Sequence, residues 1–209
     1  MARTYPTEWK KFCRTISTPA GFNYYTQKIN KNVSLGDFNR FSARYSLAKD
    51  FMGIDIQNAT MKTKLGYEAL MNALLVWSVV EYYYIIFKTQ SNSHYDLLTY
   101  NKSELAAIRN KFNAIGLDVD KFYKFIRLHC DSKHALNIDE FLNNRDYNPV
   151  RLLSAIRHVF SHGTLTANVS NVKSASVNSI VNILKTCILS KIDDEFSSIV
   201  KSHPNYLIA

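Results

Sequence analysis

Glycine and proline are scarce in this chain of 209 residues, which contains six and four of them respectively. Loop-rich all-β folds use such residues at their many tight turns, so their scarcity argues against that class. Cysteine is scarce too, because Cys13, Cys130 and Cys187 are widely spaced and odd in number. Without a Cys-x-x-Cys pair we expect neither a disulfide framework nor a thiolate zinc site, and a reducing cytoplasm is the expected location.

Several motifs that mark chemistry are also missing from the sequence. The amino terminus lacks the apolar run of a signal peptide. Neither a glycine-rich phosphate loop, nor a nucleophile elbow, nor a Ser-His-Asp order can be recognised, so no cofactor is expected. The stretch from His129 to His134 contains four candidate metal ligands, but Lys133 would repel a cation, and a solvated helix end is expected instead. His158 and His162 have the spacing of zinc ligands on a helix, yet two ligands do not make a site.

The chain is rich in positive charge and in one long apolar segment. Basic residues outnumber acidic ones by 26 to 17, which gives a net charge of +9 and favours a polyanionic partner such as nucleic acid or an anionic membrane surface. Residues 61–88 are the most apolar part. They include Asn72 and Glu81, and a carboxylate at mid-membrane is costly, so we predict a central helix buried among others rather than a membrane span.

Glu81 then needs an explanation, since a carboxylate in a buried helix requires a cation or several donors. Arg157 is the natural candidate because it lies at the edge of another apolar stripe, where an unpaired charge is costly. The alternative is a surface glutamate on an exposed edge of the helix.

The second organising segment runs from Asn148 to Gly163 and has both helix ends marked. Asn148 is a good N-cap, Pro149 suits the first helical position, and Gly163 can adopt the left-handed conformation that ends a helix. At about 100° per residue, the core stripe is predicted to contain Leu152, Leu153, Ile156, Val159 and Phe160. The opposite face carries Arg151, His158 and His162.

Apolar residues at helical spacing recur through most of the remaining chain. A short helix is predicted near residues 8–16 and another helix near 38–52, and Asn101 with Glu104 predicts a capping box. Asp118 is expected to cap a further helix, a short one is expected near 138–142, and a long one near 175–201. Residues 164–172 alternate and are expected to be extended. The sum predicts an all-α bundle of about six helices in a single domain, with residues 1–60 as an extension packed on a core of residues 61–202.

Arginine and histidine together can cleave RNA without a metal. A neutral imidazole can take the proton from a ribose 2′-OH, and a guanidinium can hold the phosphate and stabilise the negative charge of the transition state. From spacing alone, the opposing interpretation is favoured: Arg157 would be a structural partner of Glu81, and His162 would face the carbonyls at the helix end.

Arg157-x4-His162 near the end of a late helix resembles the Arg-x4-6-His signature of the HEPN superfamily. The polar His158 directly after the arginine agrees with that signature. The upstream segment Leu75-Val-Trp-Ser-Val-Val-Glu81 resembles the Trp-Ser-x-x-Glu segment of several prokaryotic branches, and residues 157–166 resemble the stretch that begins with the motif there. The resemblance covers about residues 60 to 200.

The resemblance implies a HEPN-like helical bundle that dimerises, with two Arg-x4-His motifs meeting in a cleft across a twofold axis. Active members are metal-independent endoribonucleases, many of them toxins or phage-defence effectors. Arg157 and His162 would be catalytic, with Glu81 orienting Arg157. The residues expected to contact RNA are His158, Ser161 and Arg151.

Two further expectations follow from this resemblance. Five residues correspond to about 140° on a regular helix, so either the helix loosens before Gly163 or the cleft combines residues from two chains of a homodimer, which we prefer. Some toxin branches carry a tyrosine, modified by an antitoxin, at the position of Leu165; its absence argues against that regulation, although an antitoxin protein is still a candidate partner. The alternative function is a non-catalytic dimeric module that binds RNA or a protein partner.

Overall fold

The computed structural model describes residues 3–87, 93–169 and 171–208, and every regular element within them is a helix. The predicted all-α class is therefore confirmed. The described residues form ten helices instead of about six. In chain order they are α1 (Trp9–Thr15), α2 (Asn23–Thr26), α3 (Leu35–Asp50), α4 (Met61–Phe87), α5 (His94–Leu97), α6 (Lys102–Asn113), α7 (Asp118–His129), α8 (Ser132–Leu142), α9 (Pro149–Ser161) and α10 (Ser174–Lys201).

The additional helices have local causes. Helices α2 and α5 have four residues each, which is too short for a periodic apolar pattern. Helix α8 begins earlier than predicted because the Asp131 carboxylate accepts hydrogen bonds from the backbone N–H groups of Lys133 and His134. The predicted extended stretch forms no strand in residues 164–169, 171 and 172, which are irregular.

Asp118 does not cap α7 as predicted. The N-cap position of α7 is Leu117, which makes no side-chain cap. The Asp118 carboxylate instead accepts from the Lys173 backbone N–H at 3.3 Å and from the Ser176 hydroxyl at 2.7 Å. It therefore stabilises the start of α10, a role that depends on residues more than fifty positions away.

The chain divides into two compact units, and each is built from separate segments of the sequence. The first unit comprises Met1–Phe51, Ser78–Leu98 and Leu189–Ala209. Its core is aromatic: the ring centroids of Phe12 and Phe38 lie 4.7 Å apart, and those of Tyr83 and Phe87 lie 4.6 Å apart. Such pairs contribute roughly 0.5–1.5 kcal/mol each beyond the area that they bury.

The second unit comprises Met52–Trp77 and Thr99–Ile188. Within it α7, α8 and α9 pack against one another. Four predicted core positions of α9 are buried, whereas Phe160 is only half-buried; the buried ones are Leu152, Leu153, Ile156 and Val159. The candidate functional residues on the second half of α9 are thus carried by a helix that is held along one whole side.

Helix α4 is long and apolar enough to cross a membrane by length and composition, and it is the one such helix among the described residues. In its most apolar 18-residue window, 56% of the residues are buried inside the structure. A helix in a protein core passes the same test of length and composition, so this feature is weak evidence for a membrane.

Candidate functional site

Helix α9 carries the candidate site, and its ends form as the sequence predicts. The Asn148 side chain accepts from the backbone N–H of Val150 at 2.8 Å and of Arg151 at 3.2 Å, and Pro149 follows it. At the other end Gly163 has φ +75°, the left-handed conformation in which glycine is favoured. These two signals fix where His162 lies, because it is the residue between the last helical position and Gly163.

His158, Ser161 and His162 form one polar surface at this end of the helix. The rings of His158 and His162 have centroids 4.4 Å apart with planes inclined by 56°. His162 and Ser161 are exposed and His158 is half-buried. The Ser161 hydroxyl donates a hydrogen bond to the backbone carbonyl of His158 at 3.0 Å, so its proton is used within the helix. Two imidazoles are therefore adjacent, and one is open to solvent.

Arg157 lies away from this surface. Its guanidinium carbon lies 4.9 Å from the centre of the Trp77 ring, which is a cation–π contact. Its Nε is buried and has no hydrogen-bond partner among the described residues. A buried N–H without a partner costs free energy, so the contact with Trp77 must offset part of that cost.

The expected burial of Glu81 is wrong, since this residue is exposed. Within the described part of the chain, the ion pairs include neither its carboxylate nor the guanidinium of Arg157. The sequence argument correctly required a partner for Arg157 on the apolar helix, but the partner is an indole. Trp77 is four residues before Glu81, which places both on one side of α4, and the aromatic ring provides the contact without a second buried charge.

A hydrogen-bonded network that the sequence reasoning missed lies beside this surface. His134 Nδ1 is 2.6 Å from Asp131 Oδ2, and His134 Nε2 is 3.0 Å from Ser154 Oγ. The ring of His134 lies 5.6 Å from that of His158. These are the connections of a Ser-His-Asp triad, but Ser154 is fully buried, so no substrate reaches its hydroxyl. The network instead joins α8 to α9, and the predicted solvated end is wrong for His134.

Burial lowers the pKa of His134, and the hydrogen bond with Asp131 opposes that effect only in part. The positive charges of His158 and Arg151 lower this pKa further. For Asp131, burial raises the pKa, but the hydrogen bonds from the His134 backbone and ring outweigh it and the pKa falls. His134 is consequently a neutral imidazole at neutral pH with both nitrogens occupied.

The structure brings some predicted site residues together and separates others. His158, His162 and Ser161 are neighbours, while Arg157 contacts Trp77. Arg151 is half-buried in the first turn of α9. It lies roughly 16 Å from His162 along the helix axis at 1.5 Å per residue, on the same face.

Comparisons with known proteins add no family to this description. Neither the family models, nor the curated proteins, nor the solved structures contain a match to the chain. Among the described residues there is also no group of three or more histidine, cysteine, aspartate or glutamate side chains arranged to hold a metal ion.

Proposed function

We propose that the protein is a metal-independent endoribonuclease of HEPN type, with Arg157 and His162 as its catalytic residues. The observation that carries the proposal is the exposed His162 beside His158 at the marked end of α9. An accessible imidazole can exchange protons with a substrate, and a second imidazole at this distance can share the task of acid and base.

The reaction that these groups support is internal transfer at phosphorus. The imidazole of His162 takes the proton of a ribose 2′-OH, the 2′ oxygen forms a bond to the neighbouring phosphorus, and the bond to the 5′ oxygen breaks. The 5′ oxygen leaves with a proton from an imidazolium, a role that His158 can take. The products are a 2′,3′-cyclic phosphate and a 5′-hydroxyl, while Arg157 stabilises the negative charge on phosphorus.

The geometry of one chain supports a cleft shared by two chains. The backbone N–H of His162 still donates to the His158 carbonyl at 3.1 Å, so the helix stays regular up to this residue. Arg157 and His162 therefore diverge, as the expected angle of about 140° requires. Two copies of α9 related by a twofold axis can present the arginine of one chain with the histidine of the other.

The test is RNA cleavage in the presence of EDTA by the wild-type protein, Arg157→Ala and His162→Ala. We expect cleavage to fall by roughly 10²-fold or more in each variant, because each removes a group that acts in the transition state. The matched controls are Arg145→Ala and His129→Ala, which remove exposed residues of the same types elsewhere on the second unit. Equal cleavage by all five proteins would refute the proposal.

A second candidate function, a non-catalytic module that binds RNA or a protein partner, is favoured by the contact between Arg157 and Trp77. A guanidinium packed on an indole with its Nε buried has the environment of a structural arginine. In that case Arg157→Ala lowers the thermal stability of the protein, and the wild-type protein binds RNA without forming cyclic-phosphate ends.

A further inference from the structure

A groove with three lysines at its rim lies in the second unit, apart from the residues assigned above. Its volume is about 760 Å³, which is within the range of clefts that bind ligands. We call it the lysine groove. Its basic rim and its apolar floor are formed by Lys62, Lys121, Lys173, Leu65, Val169 and Val172.

The positive charges of the lysine groove are largely available to a ligand. Lys62, Lys121 and Lys173 are exposed, and among the described residues Lys121 is the one of the three that forms an ion pair, with Asp118 at 4.0 Å. The charge of Lys173 also acts on this carboxylate. This carboxylate is already engaged by the Ser176 hydroxyl and by the Lys173 backbone N–H. Among the described residues that line the groove, the three ammonium groups are therefore opposed by a single carboxylate, that of Asp118.

The start of a long helix also lines the groove. Helix α10 has 28 residues, and Ser174 and Ala175 from its first turn line the groove. The first turn of a helix carries a partial positive charge and favours anions. Asp118 already places a carboxylate at this helix start, so the three exposed lysine side chains are the feature of this concave surface that favours further negatively charged groups such as phosphates.

The lysine groove is close to the proposed catalytic residue along the chain. Asn168 and Val169 line it and follow His162 by six and seven residues. Even a fully extended chain of six residues spans at most about 20 Å, so the groove begins within that distance of His162. The segment after Gly163 thus leads directly from the exposed imidazole to the basic rim.

We propose that the lysine groove is a second RNA site, which holds phosphates of the single-stranded RNA that flanks the scissile bond. This inference rests on the proposed ribonuclease function for its substrate. None of the described residues that line the groove is aromatic, so the bases find no stacking surface there. The groove consequently contacts the backbone, and we expect polyuridine and polyadenosine to bind with similar affinity.

The experiment measures binding of labelled single-stranded RNA as a function of salt. The triple variant Lys62→Ala, Lys121→Ala, Lys173→Ala is made in a His162→Ala background, so that no RNA is cleaved during the measurement. Each phosphate contact to single-stranded RNA contributes about 0.7 to the slope of log affinity against log salt, so the slope should fall by about 2. The same slope change corresponds to roughly 100-fold weaker binding at about 0.1 M salt.

The matched control removes equal charge from the same unit. Lys102, Lys111 and Lys133 are exposed and do not line the groove, and the triple alanine variant at these positions should retain most of the affinity. Replacing the three groove lysines by arginine keeps the charge and should restore binding. Equal losses of affinity in the groove and control variants would overturn the proposal. The proposal would also be overturned if polyglutamate displaced labelled RNA as effectively as unlabelled RNA does, because the groove would then accept any polyanion.

Failure of the proposed function is separable from failure of this inference. If the wild-type protein leaves RNA intact while the groove variant loses binding selectively, the ribonuclease proposal fails and the lysine groove stands as an RNA site. If the wild-type protein cleaves a long RNA and the triple lysine-to-alanine variant with His162 intact cleaves it with unchanged kcat/KM, the groove proposal fails and the ribonuclease proposal stands. A dinucleotide substrate, too short to reach the groove, should be cleaved equally by both proteins.

Discussion

At the scale of single residues, the proposed catalytic role requires Arg157 to contact a phosphate while it keeps its contact with Trp77. Its guanidinium lies over the indole of Trp77, a contact that contributes roughly 0.5–2 kcal/mol. Hydrogen bonds to a phosphate use the N–H groups at the edge of the planar guanidinium. Because Nε is buried, the two terminal nitrogens are the ones left to hold a phosphate. The contact with Trp77 can therefore position a catalytic arginine as well as a structural one.

His134 should make stability depend on pH in a defined window. Its pKa is lowered from 6.5 by burial, so the unfolded chain binds more protons than the folded one just below that value. The free energy of unfolding should therefore be highest above about pH 6.5 and decrease as the pH falls toward the lower pKa of the folded state. Urea unfolding between about pH 5 and 7 measures this slope. We expect His134→Gln, which cannot titrate, to reduce it.

The control for that experiment is His129→Gln, which removes an exposed imidazole from the end of α7. Its slope should match that of the wild-type protein. An unchanged slope in His134→Gln would show that the buried imidazole is not the group responsible. Asp131 does not affect the slope in this pH window. Its pKa is lowered from 3.8, so its contribution to the free energy of unfolding is lost only at more acidic pH.

Residue-scale prediction from the sequence succeeded for short-range chemistry and failed for long-range partners. The Asn148 cap involves neighbours two and three positions away, and it is confirmed. The missed partners lie far away in the sequence, so spacing could not find them. Trp77 is 80 positions from Arg157, Lys173 and Ser176 are 55 and 58 positions from Asp118, and Ser154 is 20 positions from His134. For Arg157 the sequence indicated the correct helix, but the need for an opposite charge favoured Glu81 over Trp77, which is four positions earlier.

At the scale of elements, the close approach of α4 to the irregular segment before α10 depends on one missing side chain. A Cβ placed on Gly66 would lie 2.0 Å from the carbonyl oxygen of Ala167. That carbonyl also accepts a buried hydrogen bond from the Ser174 hydroxyl at 3.3 Å, so it cannot move without breaking this bond. The helical periodicity of the sequence indicates α4 but contains no signal for this crossing.

We therefore expect Gly66→Ala to lower the free energy of unfolding by about 1–3 kcal/mol or more, as overpacking does. Chemical denaturation measures it directly. Gly36→Ala is the matched control, because its new Cβ would lie 3.4 Å from the Ser34 hydroxyl, an ordinary contact near a helix start. If Gly66→Ala were as stable as Gly36→Ala, the close packing of α4 on Ala167 would be wrong.

At the scale of the whole molecule, helix content follows from composition and periodicity, whereas the grouping of helices does not. The scarcity of glycine and the repeated apolar stripes indicated an all-α chain, and the structure agrees. The two compact units are built from three and two separate segments, and α4 and α10 each contribute to both. Such a division depends on contacts between distant segments, for which the sequence pattern of each helix carries no information.

At the scale of the assembly, the proposed ribonuclease function makes a prediction, because Arg157 and His162 diverge within one chain. If each active cleft takes its arginine from one chain and its histidine from the other, two inactive variants should complement each other. In a mixed dimer of Arg157→Ala and His162→Ala, one cleft contains both mutations and the other contains neither. Random mixing makes half of the dimers mixed, so about a quarter of the wild-type cleavage should return.

The measurement is RNA cleavage by the two variants after unfolding and refolding together, with each variant refolded separately as the control. A cleft formed within one chain predicts no recovery, because every chain then lacks either the guanidinium or the imidazole. Recovery that disappears when the mixture is diluted would further show that the active species dissociates, as an assembly of two chains must. The absence of recovery at all concentrations, with both variants folded, would contradict the shared cleft and leave the divergence of Arg157 and His162 without a catalytic meaning.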